Sequence, residues 1–443
     1  MLRDTLLGHT RAAAGMLLLL CVAGCTRRGD GPPRDIDDVA RAYVRLALAL
    51  GERDPDSLDF SIAPVEIAAE MHKAYLPVKS IQEQAETLSR QLSAMQVGAD
   101  QRERRDFLAA QLGAVAARAA MLEGQRWDFD TEAQRFFGVN RLPDTRSEER
   151  RVLRAKVHVL LPIAPKPGED DAARYARYAR YSGGFVIPAG KLVLVMQAAL
   201  AQCRARTLEH IALPEGESME LELVRDKPWA AFSRYMGHAH SVIELNVDMP
   251  MTVDDALELA CHEGYPGHHV FNMLRDATLV QQRHWPEAEV QLTFSPQSYV
   301  SEAAAAYAPE LAFPLEDRVR IERDVLFPAA GLDAKDVARA AAINAVLRQL
   351  DSAEPAIARD YVDGRLEFVR AEQALASEAL MANSESLLLY LNEYRSYMLA
   401  YTDGPRWMAQ ALGFSATTNA RWKAYEHIMR APVFRLDDAS VRP

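Results

Sequence analysis

Apolar positions recur three and four residues apart along most of the chain, and that spacing predicts helices. Before His210 it predicts them near 36–51, 64–75, 78–96, 99–124, 146–161, 170–181 and 189–210, many rich in the strong helix formers Ala, Leu, Arg, Glu and Gln. Beyond residue 297 it predicts helices near 298–312, 315–329, 334–351, 354–362, 366–380, 384–402, 405–412 and 417–429. Between the two helical stretches the period drops to two. Met219 to Val224 and Ser241 to Val247 alternate polar and apolar residues and read as strands. The expected fold is mainly α, with large helical regions and a small β-sheet.

One helix stands apart. Thr252 can cap its first turn and Asp255 can reach back, a reciprocal capping pattern, while Val253, Ala256, Leu257 and Ala260 give it a buried face. It ends in His262-Glu-Gly-Tyr-Pro-Gly-His-His269. A His-Glu pair on a helix with further histidines close behind points to zinc chemistry: imidazoles bind the ion, and the carboxylate takes a proton from the water it activates. The spacing differs from H-E-x-x-H, because His268 and His269 follow His262 by six and seven residues. Seven residues of straight helix span roughly 10 Å, too far for two nitrogens that each sit about 2.1 Å from one ion. Pro266 removes an N–H and its ring clashes with the carbonyl of His262, so the helix must bend or stop there. Gly267 accepts backbone angles closed to other residues. The bend can bring either histidine back toward His262; His268 is favoured as the ligand, with His269 beside it as a supporting or substrate-contacting group.

Two histidines need a third protein ligand. Glu302, on the next substantial helix, sits among alanines in Ser301-Glu-Ala-Ala-Ala-Ala-Tyr-Ala-Pro-Glu310, where an unpaired carboxylate would be costly to bury and a metal would offset that cost. Glu310, behind the helix-breaking Pro309, reads as a supporting residue. Farther on, Tyr394, Tyr397 and Tyr401 fall at i, i+3 and i+7 of the expected 384–402 helix. They form either an aromatic core stripe or a source of hydroxyls for a developing oxyanion, with Arg395 suited to a substrate carboxylate. His238 and His240, between the two strands, read as structural or substrate-contacting.

Composition narrows the class. The chain has 443 residues, 51 Lys+Arg against 62 Asp+Glu and a formal charge of −11, which argues against phosphate-driven nucleic-acid binding. Arg3 and Arg11 precede an apolar stretch from Gly15 to Ala23 that is too short to span a membrane and reads as a secretory signal over residues 1–24. Val22-Ala-Gly-Cys25 resembles the lipobox of bacterial lipoproteins, which implies lipidation of Cys25; Thr26 in place of Asp favours the outer membrane. Residues 25–35 then read as a lipidated tether, 36–216 as an N-terminal helical region and 217–443 as a catalytic region. With Cys25 acylated, Cys203 and Cys261 are left, both in helical patterns. No disulfide framework is implied, and Cys261 reads as a buried small hydrophobe.

The octapeptide resembles the H-E-x-x-P-G-H-H hallmark of domain-of-unknown-function family 885. The resemblance extends from about Ser241-Val-Ile-Glu-Leu-Asn246 through Phe294-Ser-Pro-Gln-Ser298 and the Glu302 helix to Phe327-Pro-Ala-Ala-Gly-Leu332, the central quarter of the chain. Members usually carry Glu-Gly-x-Ala-x-Tyr at the second motif; Glu302-Ala-Ala-Ala-Ala-Tyr307 keeps the Glu and Tyr and lacks the Gly. The family is similar to the helical gluzincin metallopeptidases, which implies a carboxypeptidase-like fold. The expectation is a zinc-dependent peptidase of the cell envelope, lipid-anchored through Cys25 and acting on peptides. One zinc ion is held by His262, His268 and Glu302, Glu263 is the general base, and His269, Tyr397 and Arg395 assist. The alternatives are an envelope lipoprotein that binds peptides or cell-wall fragments without cleaving them, and a zinc hydrolase of non-peptide amides or esters.

Overall fold

The computed structural model describes residues 32–144, 146–227, 229–413 and 416–432. The signal segment and Cys25 lie outside them. Among the described residues no helix is long and apolar enough to cross a membrane.

The structure is mainly helical with a small sheet, as the periodicity predicts. The helix Ile36–Arg53 begins at Asp35, whose side chain accepts from Asp38 N at 2.9 Å, satisfying one of the first-turn donors. Its apolar stripe, including Val39, Tyr43, Ala47 and Leu50, is buried against the helices Val78–Ala94 and Arg102–Leu122 in a first core. A larger second core draws on residues from Phe60 to Met429 and gathers around the helix Pro296–Ala312, which buries Tyr299, Val300, Ala303, Ala304 and Tyr307. Arg104, on the helix Arg102–Leu122, forms a bidentate ion pair with Glu287, a carboxylate with no exposed surface.

Among the described residues, five strands form two sheets. Strand β1 (Leu58–Ser61) pairs antiparallel with β5 (Val290–Leu292). Strands β2 (Ser218–Val224), β3 (Ala231–Gly237) and β4 (His240–Asn246) lie in the order β2-β4-β3, with β2 parallel and β3 antiparallel to β4. The alternating segments of the sequence are β2 and β4. Strand β3 fills the stretch between them, and its turn residues His238 and Ala239 both have positive φ, 52° and 58°. That hairpin geometry is ordinarily signalled by Asn-Gly, which this sequence lacks.

Other expectations are corrected. Cys203 and Cys261 form a disulfide, their Cα atoms 5.5 Å apart, because the helix Leu192–Leu208 packs alongside the histidine-bearing turn. Pro309 does not break its helix, which continues to Ala312. The stretch expected as one helix over 384–402 is instead a helix Ser384–Tyr394, a tight turn Arg395–Met398 and a helix Leu399–Leu412, with Arg395 at φ 46°. A helix Phe129–Phe137 is absent from the expected elements although its signals are present: Asp128 caps it, Phe129, Ala133, Phe136 and Phe137 share a buried face, and Gly138 ends it at φ 66°.

Candidate metal centre

The Thr252 cap forms as the sequence predicts: Thr252 Oγ1 accepts from Asp255 N at 3.2 Å, and Asp255 Oδ2 accepts from Thr252 N at 2.9 Å. The helix Val253–Leu259 then widens into a π-turn over Ala260–Gly264 and stops. The Tyr265–Pro266 peptide is cis, and Gly267 adopts φ −75°, ψ −134°, outside the α and β basins. Gly267 N donates to Cys261 O at 2.9 Å, and a new helix, His268–Arg275, departs at an angle. The Tyr425 hydroxyl lies 3.2 Å from Pro266 O and 2.9 Å from Ala304 O, so it ties the bend to the helix that carries Glu302.

This bend brings the imidazoles of His262 and His268 to a centroid separation of 4.8 Å, edge to face. Ligand atoms of His262, Glu263 and His268 all lie within 4.8 Å of one another. Glu302 closes the group: its Oε2 is 3.5 Å from His262 Nε2, and its Oε1 is 3.3 Å from His268 Nε2. Glu263 Oε1 is 4.0 Å from His262 Nε2. Ser301 Oγ, 3.1 Å from His268 Nδ1, turns that ring so that Nε2 faces Glu302. Tyr397 donates to Glu302 Oε1 at 3.3 Å and lies 2.9 Å from Ser298 Oγ.

The donor set fits a metal. Glu302 Oε2 is buried without a hydrogen-bond partner. Two ligands each about 2.1 Å from one ion in tetrahedral geometry stand roughly 3.4 Å apart, close to the two histidine–Glu302 distances. Electrostatics agree. Burial opposes charge on His268, but the Glu302 carboxylate outweighs it and raises the imidazole to about 9. Burial would likewise push Glu302 up, yet His268 and His262 hold it well below the usual carboxylate range. Both shifts trace to the buried Glu302 carboxylate facing protonated imidazole, a negative charge that a bound cation would also meet. Asp59, on β1, adds to it: burial and the nearby Glu302 and Glu263 carboxylates raise it to about 6, against the pull of His268 and a 2.8 Å hydrogen bond from Gln291.

Two of the residues singled out in the sequence lie elsewhere. His269 has no exposed surface; its Nδ1 is 2.7 Å from Ser241 Oγ and its Nε2 is 3.1 Å from Glu217 Oε1. Adjacent helical residues point about 100° apart, so a His268 facing Glu302 turns His269 toward β4. Arg395 donates to the buried Glu132 at 2.6 Å and to Trp127 O, away from the cluster. The chain leaves the helix at Tyr394, so spacing along one helix face no longer governs where Arg395 points. Tyr394, Tyr397 and Tyr401 do share a cluster, with successive ring centroids at 6.3 and 5.9 Å. Tyr401 also lies parallel to His262 at 6.4 Å and lines a cavity of about 750 Å³. Glu258, Glu310, Arg348 and Asp351 are on its walls. His240 bonds Ser218, and His238 stands exposed at the hairpin turn. Asp59, Ser241 and Glu217 are lone polar residues far from the histidine motif and give no local signal, whereas Ser301 stands next to Glu302 and its role is visible only once His268 faces that helix.

No family model matches the chain, and no curated protein matches it. Among solved structures it is similar to a Colwellia psychrerythraea protein provisionally described as a lipoprotein, at 12% identity over 94% of this chain and 76% of that one, with a TM-score of 0.49. It is similar also to a carboxypeptidase from Pyrococcus furiosus (13% identity, 93% and 95% covered, TM-score 0.45) and to an M32 carboxypeptidase from Deinococcus radiodurans R1 (14% identity, 90% and 91% covered, TM-score 0.46). Likenesses at these scores carry no argument about the chemistry, which rests on the geometry above.

Proposed function

We propose that this chain is a metal-dependent hydrolase of peptide bonds in a bacterial cell envelope, tethered by lipid on Cys25 and facing the periplasm from the outer membrane. The observation that carries the reading is the convergence of His262, His268 and the unpartnered Glu302 oxygen on one point, with Glu263 beside them. Imidazole nitrogens and a carboxylate suit zinc, and three protein ligands leave a position open for chemistry. Bound there, the ion would acidify a water and polarise a carbonyl. Glu263, mostly buried and 4.0 Å from His262 Nε2, takes the proton of the attacking water and delivers it to the departing amine. Tyr397 holds Glu302 in orientation, and Tyr401, which lies parallel to His262 at 6.4 Å, offers a hydroxyl toward a substrate carbonyl. The Cys203–Cys261 disulfide suits an oxidising compartment outside the cytoplasm.

Glu263→Gln is expected to keep one metal per chain by elemental analysis and to lose turnover by about 10²- to 10⁴-fold on a peptide library. Hydrolysis at the wild-type rate in that variant would sink the mechanism. Stoichiometric metal in the wild type, with no cleavage of any library member, would instead favour an envelope lipoprotein that binds peptides or cell-wall fragments.

A further inference from the structure

The bend between His262 and His268 has few backbone bonds of its own. Tyr265 N reaches back to Ala260 O at 3.3 Å and Gly267 N to Cys261 O at 2.9 Å, in place of a continuous helical ladder. Besides the Tyr425 hydroxyl on Pro266 O, what fixes it comes from two neighbouring residues of the helix Leu192–Leu208. Cys203 is bonded to Cys261, immediately before His262. Arg204 forms a 2.9 Å ion pair with Glu217 Oε2. The other Glu217 oxygen accepts from the Tyr265 hydroxyl and lies 3.1 Å from His269 Nε2, on the far side of the bend. His269 Nδ1 meets Ser241 Oγ of β4 at 2.7 Å. Tyr265 and His269 also pack edge to face at 5.0 Å. The Glu217 side chain is 3% exposed. Burial would raise its pKa, and bonds from His269, Tyr265 and Arg204 reverse this and lower it to about 2.

We infer that Cys203, Arg204, Glu217, Ser241 and His269 form a brace that sets the distance and angle between the two imidazoles, so that His269 serves the site as a positioning residue. The histidine pair cannot approach on an unbroken helix, and a Pro-Gly break left to itself would fix neither the direction nor the rotation of the following helix. Cys261 anchors the entering strut and Glu217 the leaving one, both to one rigid helix. Ser241 and Glu217 hold the His269 ring from both nitrogens, which sets the rotation of the helix start and with it where His268 points. This inference rests on the metal reading of the cluster, and its test separates the two.

The probe is cobalt(II), whose visible absorption reports ligand geometry, together with zinc affinity from competition against a chromogenic chelator. Glu217→Gln and the milder Ser241→Ala are compared with Leu92→Ala, a substitution in the N-terminal core remote from the site. Each protein is held below its own melting temperature. Expected are a zinc affinity lower by about 10- to 100-fold in Glu217→Gln, a smaller loss in Ser241→Ala and altered cobalt bands in both. Leu92→Ala, though less stable, should keep wild-type affinity and spectrum. If Glu217→Gln fails to fold, Ser241→Ala decides alone. Wild-type metal binding in the folded brace variants would overturn the brace and leave the metal reading intact, whereas a wild type that takes up no metal would overturn both.

Discussion

Gly267 sits so close to the preceding turn that a Cβ built there would lie 1.8 Å from His262 O and 2.5 Å from Cys261 O. Both obstacles are backbone, so nothing can swing aside. Gly267→Ala is therefore expected to force the bend open, at a cost of about 4 kcal/mol or more, the range reached by strain at special backbone sites. Chemical denaturation would measure that loss, and zinc binding should vanish with it. An alanine variant of wild-type stability would show that the bend is softer than its contacts indicate. The need for glycine and proline at this point was legible in the sequence, because it depends on a backbone clash between near neighbours. The fate of His269 was not. Its direction follows from the rotation of the second helix, which Glu217 and Ser241 decide from β2's approach and β4.

At the scale of the element, the histidine helix shows where local rules hold and where they stop. Its beginning obeys them, and both capping bonds form. Thr252→Ala should cost about 1 kcal/mol in thermal or denaturant unfolding while leaving metal affinity unchanged, since the cap lies more than two turns before His262. An equal loss of metal affinity would mean that fraying at the cap reaches the site. The end of the helix obeys a different logic. Widening into a π-turn, the break and the restart serve the placement of two side chains rather than helix propensity, and such turns recur at functional sites. The Ser384–Leu412 stretch makes the same point. Its tyrosines still cluster, though no longer on one helix, and the turn at Arg395 redirected that guanidinium to Glu132, a buried carboxylate that needs a counter-charge.

For the whole molecule, the metal centre depends on segments that meet only after folding. Glu302 comes from the helix after β5, Asp59 from β1, and the brace from the helix Leu192–Leu208 and the residue before β2. This has a consequence for acid stability. Glu217 is held at about 2 in the folded protein, below the ordinary carboxylate value of 4.5. A depressed folded-state pKa gives stability that is present above about 4.5 and is lost as pH falls from there toward 2. The wild type should thus lose unfolding free energy over that window, and Glu217→Gln, less stable at neutral pH, should show a flatter acid limb. Parallel acid limbs would place the titration elsewhere.

The amino-acid sequence by itself determined most helices and both alternating strands, because a period of 3.6 or 2 states which face of a segment must be buried. It determined the capped helix and its interruption too, for those involve residues within a few positions of one another. It also singled out the histidines, Glu263 and Glu302 by residue type. Only the tertiary structure decided what each buried face is buried against: that Cys203 meets Cys261, that His268 and not His269 faces Glu302, and that Arg395 turns away. Periodicity carries no address for the partner across the core, and side chains far apart along the chain are brought together by packing of whole elements, which no local pattern encodes.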